Sequence, residues 1–99
     1  MRPERLYTMI LEYKGGTYIS QARAESADVA VSKWANAISD HDLASWGLTR
    51  AEIIRLANDN PIPLESCLNV WCATDSTKEG LMLVNIIATE HNNKRPTSS

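Results

Sequence analysis

The sequence predicts a two-layer α+β sandwich of order ββααββ, in which a four-stranded, mostly antiparallel sheet carries two helices on one face. A chain of 99 residues with 43% hydrophobic content has room for one domain with a single core. Strand-like segments lie toward both ends, and a helical apolar period occupies the middle. We therefore expect one α+β domain over residues 1–91. The tail over residues 92–99 has no apolar anchor, so we expect it to be disordered.

The first expected element is a β-hairpin around the pair Gly15 and Gly16. Residues 6–13 and 17–24 are rich in β-branched and aromatic types, which favour strands. Two glycines between such segments indicate a two-residue turn with positive φ, whereas a phosphate-binding loop would need a helix after the glycines. The expected register places Tyr13 opposite Tyr18, Leu11 opposite Ser20, Met9 opposite Ala22 and Tyr7 opposite Ala24.

The first predicted helix begins at Ser26, a residue type that is favoured at the N-cap. Asp28 then lies in the first turn, where the helix dipole stabilises negative charge. The spacing of the apolar residues that follow predicts one buried helical face, made of Ala27, Ala30, Val31, Trp34, Ala35 and Ile38.

A second helix is predicted to begin after Thr49, because Thr49 and Glu52 have the spacing of a capping box. Between the two helices, residues 39–47 predict a polar loop that is anchored by Leu43 and Trp46. Pro61 cannot continue a helix, so the second helix should end before it.

The last third of the chain predicts another hairpin, with strands over residues 67–74 and 81–90 and a turn over residues 75–80. Gly80 is the expected site of positive φ. The final strand is apolar on both faces except at Asn85 and Thr89, which predicts a central strand.

If both helices pack on one face of this sheet, the other face remains apolar. It would carry either the set Leu68, Val70 and Cys72 or the set Cys67, Trp71 and Ala73 from the second hairpin. A large exposed apolar patch on a small protein indicates an interaction site. We therefore expect a homodimer or another protein partner at this face, with the candidate interface residues Leu6, Ile10, Ile19, Leu68 and Val70.

The most polar cluster of the sequence lies around His41, which predicts a candidate polar site made of Asp40, His41, Asp42 and Trp46. A histidine beside a carboxylate can act as a general base or a metal ligand. A solvated loop is the simpler interpretation, because Asp and Ser also favour turns. A small-molecule sensor or enzyme with a pocket near His41 is therefore an alternative function.

Other function classes find little support in the sequence. The formal net charge of −2 argues against nucleic-acid binding. Cys67 and Cys72 lack zinc-site spacing, and we expect no catalytic residue, metal or cofactor. No segment has the length of a membrane helix or the pattern of a signal peptide, so we expect a soluble, cytoplasmic protein without membrane contact.

These observations lead to one main hypothesis, a small, non-catalytic protein-binding or regulatory module that self-associates through the open sheet face. An inhibitor of the immunity or antitoxin type is a narrower version of it. In that version, acidic side chains would occupy the basic cleft of a toxin, and the candidates are Asp40, Asp42, Asp75 and Glu79.

Overall fold

The computed structural model describes residues 3–59 and 61–89. It shows an α+β fold with an antiparallel sheet of five strands and with three helices, where the sequence predicted four strands and two helices. His91 and the tail over residues 92–99 lie outside the described residues. The elements in chain order are β1 (Arg5–Tyr13), β2 (Gly16–Ala24), α1 (Ala27–Ala37), α2 (Asp40–Trp46), α3 (Arg50–Ala57), β3 (Ile62–Pro63), β4 (Val70–Thr77) and β5 (Gly80–Ala88).

The sheet has the strand order β2-β1-β5-β4-β3, and every neighbouring pair is antiparallel. β5 is therefore the central strand, as its two apolar faces predicted. Helix α1 contacts β1, β2 and β5, and α3 contacts β4. Alternate residues of β1 are buried under this helical layer, namely Tyr7, Met9, Leu11 and Tyr13. The opposite face of the sheet carries no helix among the described residues.

The first hairpin turns one residue earlier than the sequence predicted. Lys14 and Gly15 form the turn with φ of 51° and 79°, while Gly16 already pairs with Tyr13 in the ladder. Two consecutive positive φ values are the requirement of a tight type I′ hairpin turn. The expected register was therefore wrong by two positions, and Leu11 lies opposite Tyr18 instead of Ser20. A shift of two leaves each side chain on its predicted face.

Helix α1 agrees closely with its prediction. The Ser26 side chain accepts a hydrogen bond from the backbone N–H of Val29, and Asp28 lies in the first turn. The expected apolar face is buried in full, from Ala27 to Ile38, with Trp34 as its largest side chain.

Helix α2 replaces the loop that was expected over residues 39–47. The Ser39 side chain caps it by accepting a hydrogen bond from the backbone N–H of Asp42. Asp40 and Asp42 lie in the first turn, and Gly47 ends the helix with φ of 79°. The segment that we interpreted as a polar loop thus contains the N-cap and the C-cap of one short helix, Ser39 and Gly47. Leu43 is the buried residue of this short helix.

Helix α3 begins at the predicted capping box, in which Thr49 and Glu52 each receive a hydrogen bond from the other's backbone N–H. Its first residue, Arg50, holds the three helices together. The guanidinium donates to the carbonyl oxygens of Ala35 at 2.8 Å and Ile38 at 2.6 Å. It also donates to Asp40 Oδ1 at 2.9 Å. Arg50 thereby satisfies two carbonyls at the end of α1, where α1 itself has no basic residue.

The second hairpin differs most from its prediction. β4 begins at Val70 and continues to Thr77, so the expected turn over residues 75–80 shortens to Lys78 and Glu79. Tertiary contacts keep the polar end of β4 extended, since Tyr13 Oη lies 2.6 Å from Thr77 Oγ1 across the sheet. β3 was not expected, because Pro61 precedes it and Pro63 is the second of its two residues. It pairs only at the sheet edge, where a missing N–H is tolerated.

Within the described residues, no helix is both long and apolar enough to cross a lipid bilayer. The apolar core lies between the helices and the sheet, and its completely buried large side chains are Tyr7, Met9, Leu11, Leu43, Ile53, Leu56, Met82, Ile86, Val31 and Val84.

We predict that Trp34→Ala lowers the free energy of unfolding by about 3–5 kcal/mol, because it deletes a large buried side chain. Trp34 is 3% exposed at the interface of α1 with the sheet. Urea denaturation at a fixed protein concentration measures the change. Val29→Ala on the same helix is the matched control, because Val29 is 39% exposed and its truncation should change stability by less than about 0.5 kcal/mol. Equal losses in the two variants would contradict the packing described here.

Candidate functional site

The four residues of the candidate polar site lie on or at the ends of α2, and they do not converge. The side chain of His41 is 92% exposed, and its Nδ1 lies 3.7 Å from Asp42 Oδ1. Asp40 accepts a hydrogen bond from Arg50. Trp46 stacks on Tyr18, with ring centroids 4.4 Å apart. Among the described residues, no group of three His, Cys, Asp or Glu side chains is placed to hold a metal ion.

Asp42 and Trp46 do share one feature, a cleft of about 390 Å³ between β2 and the helices α1 and α2. Trp34 also lines this cleft, whereas His41 does not. The indole N–H of Trp34 is buried and has no acceptor among the described residues. One face of Trp46 is occupied by Tyr18, so the cleft wall is part of the packing between α2 and the sheet.

A second cleft, of about 300 Å³, lies at the N-terminus of α1. Four of its polar side chains bond to neighbours within the chain. Ser26 Oγ donates to Asp28 Oδ1 at 2.6 Å, and Arg5 donates to Tyr7 Oη at 3.3 Å. The first of these contacts belongs to the cap of α1, and the second lies within β1.

Three of the four acidic residues that we considered for binding a basic cleft are engaged inside the chain. Asp40 pairs with Arg50, Glu79 pairs with Lys14, and Asp75 pairs with Arg55. The hydrogen bond from Lys14 holds the pKa of Glu79 below its ordinary value. The hydrogen bond from Arg55, whose Nε lies 2.6 Å from Asp75 Oδ2, likewise holds the pKa of Asp75 below its ordinary value. These carboxylates act first as ties between secondary-structure elements.

The open face of the sheet, which we define as the face without helices, presents side chains in rows that run across the strands. Residues of β1 and β5 on this face alternate with the buried ones, as the pleat requires. One row, here called the central row, has a member from each of the five strands. In strand order its members are Ile19, Ile10, Asn85, Cys72 and Ile62.

Two further rows flank the central row. On one side lie Gln21, Thr8, Ile87 and Val70. On the other side lie Thr17, Glu12, Leu83 and Thr74. Both rows mix apolar and polar side chains, and the apolar ones lie toward β4 and β5.

Within the five strands, the central row of the open face carries no charged residue, and the charges of this face lie in other rows. Ile19 and Ile62, at the two ends of the central row, are 66% and 65% exposed. The inner members Ile10 and Cys72 are half-buried by their neighbours. Within the five strands, Glu12 and Arg23 are the charged residues on this face, and neither belongs to the central row. Depletion of charge at the centre and a polar rim are the anatomy of a protein interface.

The structure places four of the five candidate interface residues on this face: Leu6, Ile10, Ile19 and Val70. Leu68 lies in the loop before β4 and is 89% exposed, so it is not part of the sheet. The choice between the two residue sets of the second hairpin falls on Val70 and Cys72, since the residues between and after them point toward the helices.

Sequence reasoning missed four apolar residues of the open face. Leu81, Leu83 and Ile87 lie in the strand that we predicted to be apolar on both faces, so the sequence contained the information, but we did not assign these residues to the open face. Ile62 had no comparable signal, because it lies between Pro61 and Pro63, and proline disfavours a strand.

Comparison with protein-family models, with curated proteins and with solved structures finds no match to this chain.

We predict that Asp75→Asn destabilises the fold at neutral pH and that this effect disappears in acid. The pKa of Asp75 in the folded protein lies below the ordinary value of 3.8, so ionisation favours the folded state. The stabilisation is fully present above pH 3.8 and is lost as the pH falls through the lower pKa of the folded protein. Urea denaturation from pH 7 downward measures both variants.

Asp59→Asn is the control for this experiment, because Asp59 is exposed just beyond α3 and forms no described ion pair. It should change stability less than Asp75→Asn at pH 7. A difference between wild type and Asp75→Asn that persists unchanged into strong acid would contradict the role of the Arg55 pair.

Proposed function

We propose that this chain is a protein-binding module that self-associates through the open face of its sheet. The observation that carries the proposal is the central row, which crosses all five strands without a charged residue. Antiparallel sheets commonly leave one face in water, but that face is then polar at alternate positions. Here the outward positions of the central strand β5 include Leu81, Leu83 and Ile87.

The dimensions of the face suit an interface of ordinary size. β1, β2 and β5 each have nine residues. A strand of that length extends about 30 Å, and four adjacent strands span about 19 Å. As a flat rectangle, without the additional area of its side chains, the face therefore offers about 600 Å². Stable complexes bury about 800 Å² per partner. Burial of nearly the whole face is needed to reach that area, which favours a partner of matching shape.

The ion pairs of the chain are located where they do not obstruct such a partner. Lys14 and Glu79 join the tips of the two hairpins, and Arg55 reaches Asp75 from the helical layer. A second sheet can approach the open face without breaking either pair. The cost of taking charge out of water, which is high for buried ions, is thereby avoided at the centre.

We predict that Ile19→Lys converts the dimer to a monomer, because it places a charge in the central row where an apolar contact is expected. Ile19 is 66% exposed in the single chain, so the substitution should leave the fold itself intact. Sedimentation velocity measures the mass of each variant, and far-ultraviolet circular dichroism verifies folding.

Val29→Lys is the matched control, since Val29 is an exposed apolar residue of the helical layer. It should sediment with the mass of the wild type, which we expect to be twice the 11.0 kDa of the chain. A wild type that sediments as an 11.0 kDa monomer at all concentrations would refute the proposal.

A further inference from the structure

Asn85 is the middle member of the central row and lies on β5, the third of the five strands. We infer that Asn85 lies on the two-fold axis of the homodimer and pairs through its side-chain amide with Asn85 of the second copy. This inference rests on the proposed self-association, and it names the partner and the residue that fixes its position.

Among the described residues, the surroundings of Asn85 give its amide no partner. It lies opposite Ile10 on one neighbouring strand and opposite Cys72 on the other. Along β5, the next residues on the same face are Leu83 and Ile87. Its side chain forms no hydrogen bond to a described residue, and it is only half-buried, so solvent can reach it in the single chain. Covering the face with an apolar partner would leave this amide buried and unpaired, which is costly.

A second copy of the chain solves this problem through symmetry. Most homodimers have a two-fold axis, which brings the same surface of both copies together. When two identical faces overlap completely, the axis passes over the middle of the face, and Asn85 then meets its own counterpart. A primary amide carries both donors and an acceptor, so two facing amides can exchange N–H···O hydrogen bonds. A single buried asparagine fixes register in the same way in other apolar interfaces.

An axis displaced sideways by half the spacing between neighbouring strands gives a much poorer match between the two faces. If the axis ran between β1 and β5, Glu12 would lie opposite Leu83 of the second copy, and Asn85 would lie opposite Ile10 of the second copy. A carboxylate would be buried against leucine and an amide against isoleucine, each without a partner. The centred axis avoids both contacts, because β1 then lies over β4 of the second copy, and Glu12 meets Thr74, whose hydroxyl can donate to the carboxylate.

Charge substitutions at position 85 test this pairing. Asn85→Asp and Asn85→Lys should each weaken self-association by about 100-fold or more, because like charges meet on the axis. An equimolar mixture of the two variants should restore a dimer, because each position then faces the opposite charge. Analytical ultracentrifugation measures each sample, and circular dichroism verifies that both variants are folded.

Gln21→Glu is the matched control, since it also replaces an amide on the open face with a charge but lies in a flanking row, opposite the polar Thr8, and not in the central row. It should remain dimeric. Variants of Asn85 that dimerise as well as Gln21→Glu, or a mixture that stays monomeric, would overturn the position of Asn85 on the axis. The proposed self-association would then still stand if the wild type is a dimer and Ile19→Lys is not. A monomeric wild type would overturn both.

Discussion

The central strand β5 imposes the constraint on which the rest of the structure depends. Its inward residues Met82, Val84 and Ile86 are completely buried against the helices. Its outward residues include Leu83 and Ile87, which are equally apolar and lie on the face that no described helix covers. Because side chains alternate along a strand, β5 cannot direct both sets into one core. The single layer of helices therefore buries only one of the two apolar faces of this strand.

The ion pairs formed by Arg50, Arg55 and Lys14 lie around this strand and not on its open face. Arg50 ties the end of α1 to α2 and α3, and Arg55 ties α3 to β4. Lys14 and Glu79 join the hairpin tips. These contacts align the helices and both hairpins with β5, and they leave the outward face with few charges. In the proposed dimer, the second copy supplies the missing apolar layer, and the asparagine at its centre determines how the layers align.

Much of this organisation could be predicted from local sequence signals. The N-cap at Ser26, the capping box at Thr49 and the double apolar character of β5 each led to an element that the structure contains. The predictions failed where distant contacts decide the outcome. Residues 75–77 are polar enough for a turn, yet Arg55 and Tyr13 hold them as strand. The turn at Lys14 required a residue other than glycine to adopt positive φ, which propensity alone does not favour.

The residues of the candidate sites likewise divide into those that local sequence patterns placed correctly and those whose position depends on the tertiary structure. Ile10 and Ile19 were placed on the open face from strand alternation alone, because a shift of two in register does not move a side chain to the other face. The cluster around His41 was predicted from adjacency in sequence, and α2 separates its side chains around a helix, with His41 in solvent. The central position of Asn85 depends on the strand order, which no local pattern of the sequence contains.

The most direct test of the central claim is the solvent accessibility of the open-face methyl groups in solution. Nuclear magnetic resonance with a soluble paramagnetic agent reports this for individual isoleucine, leucine and valine residues. In concentrated wild-type protein, we expect the methyl groups of Ile10, Leu83 and Ile87 to be shielded from the agent, while those of exposed Val29 on α1 are strongly relaxed. Relaxation of the open-face methyl groups that is as strong as that of Val29, and that does not change with protein concentration, would show that this face remains in water and would contradict the account.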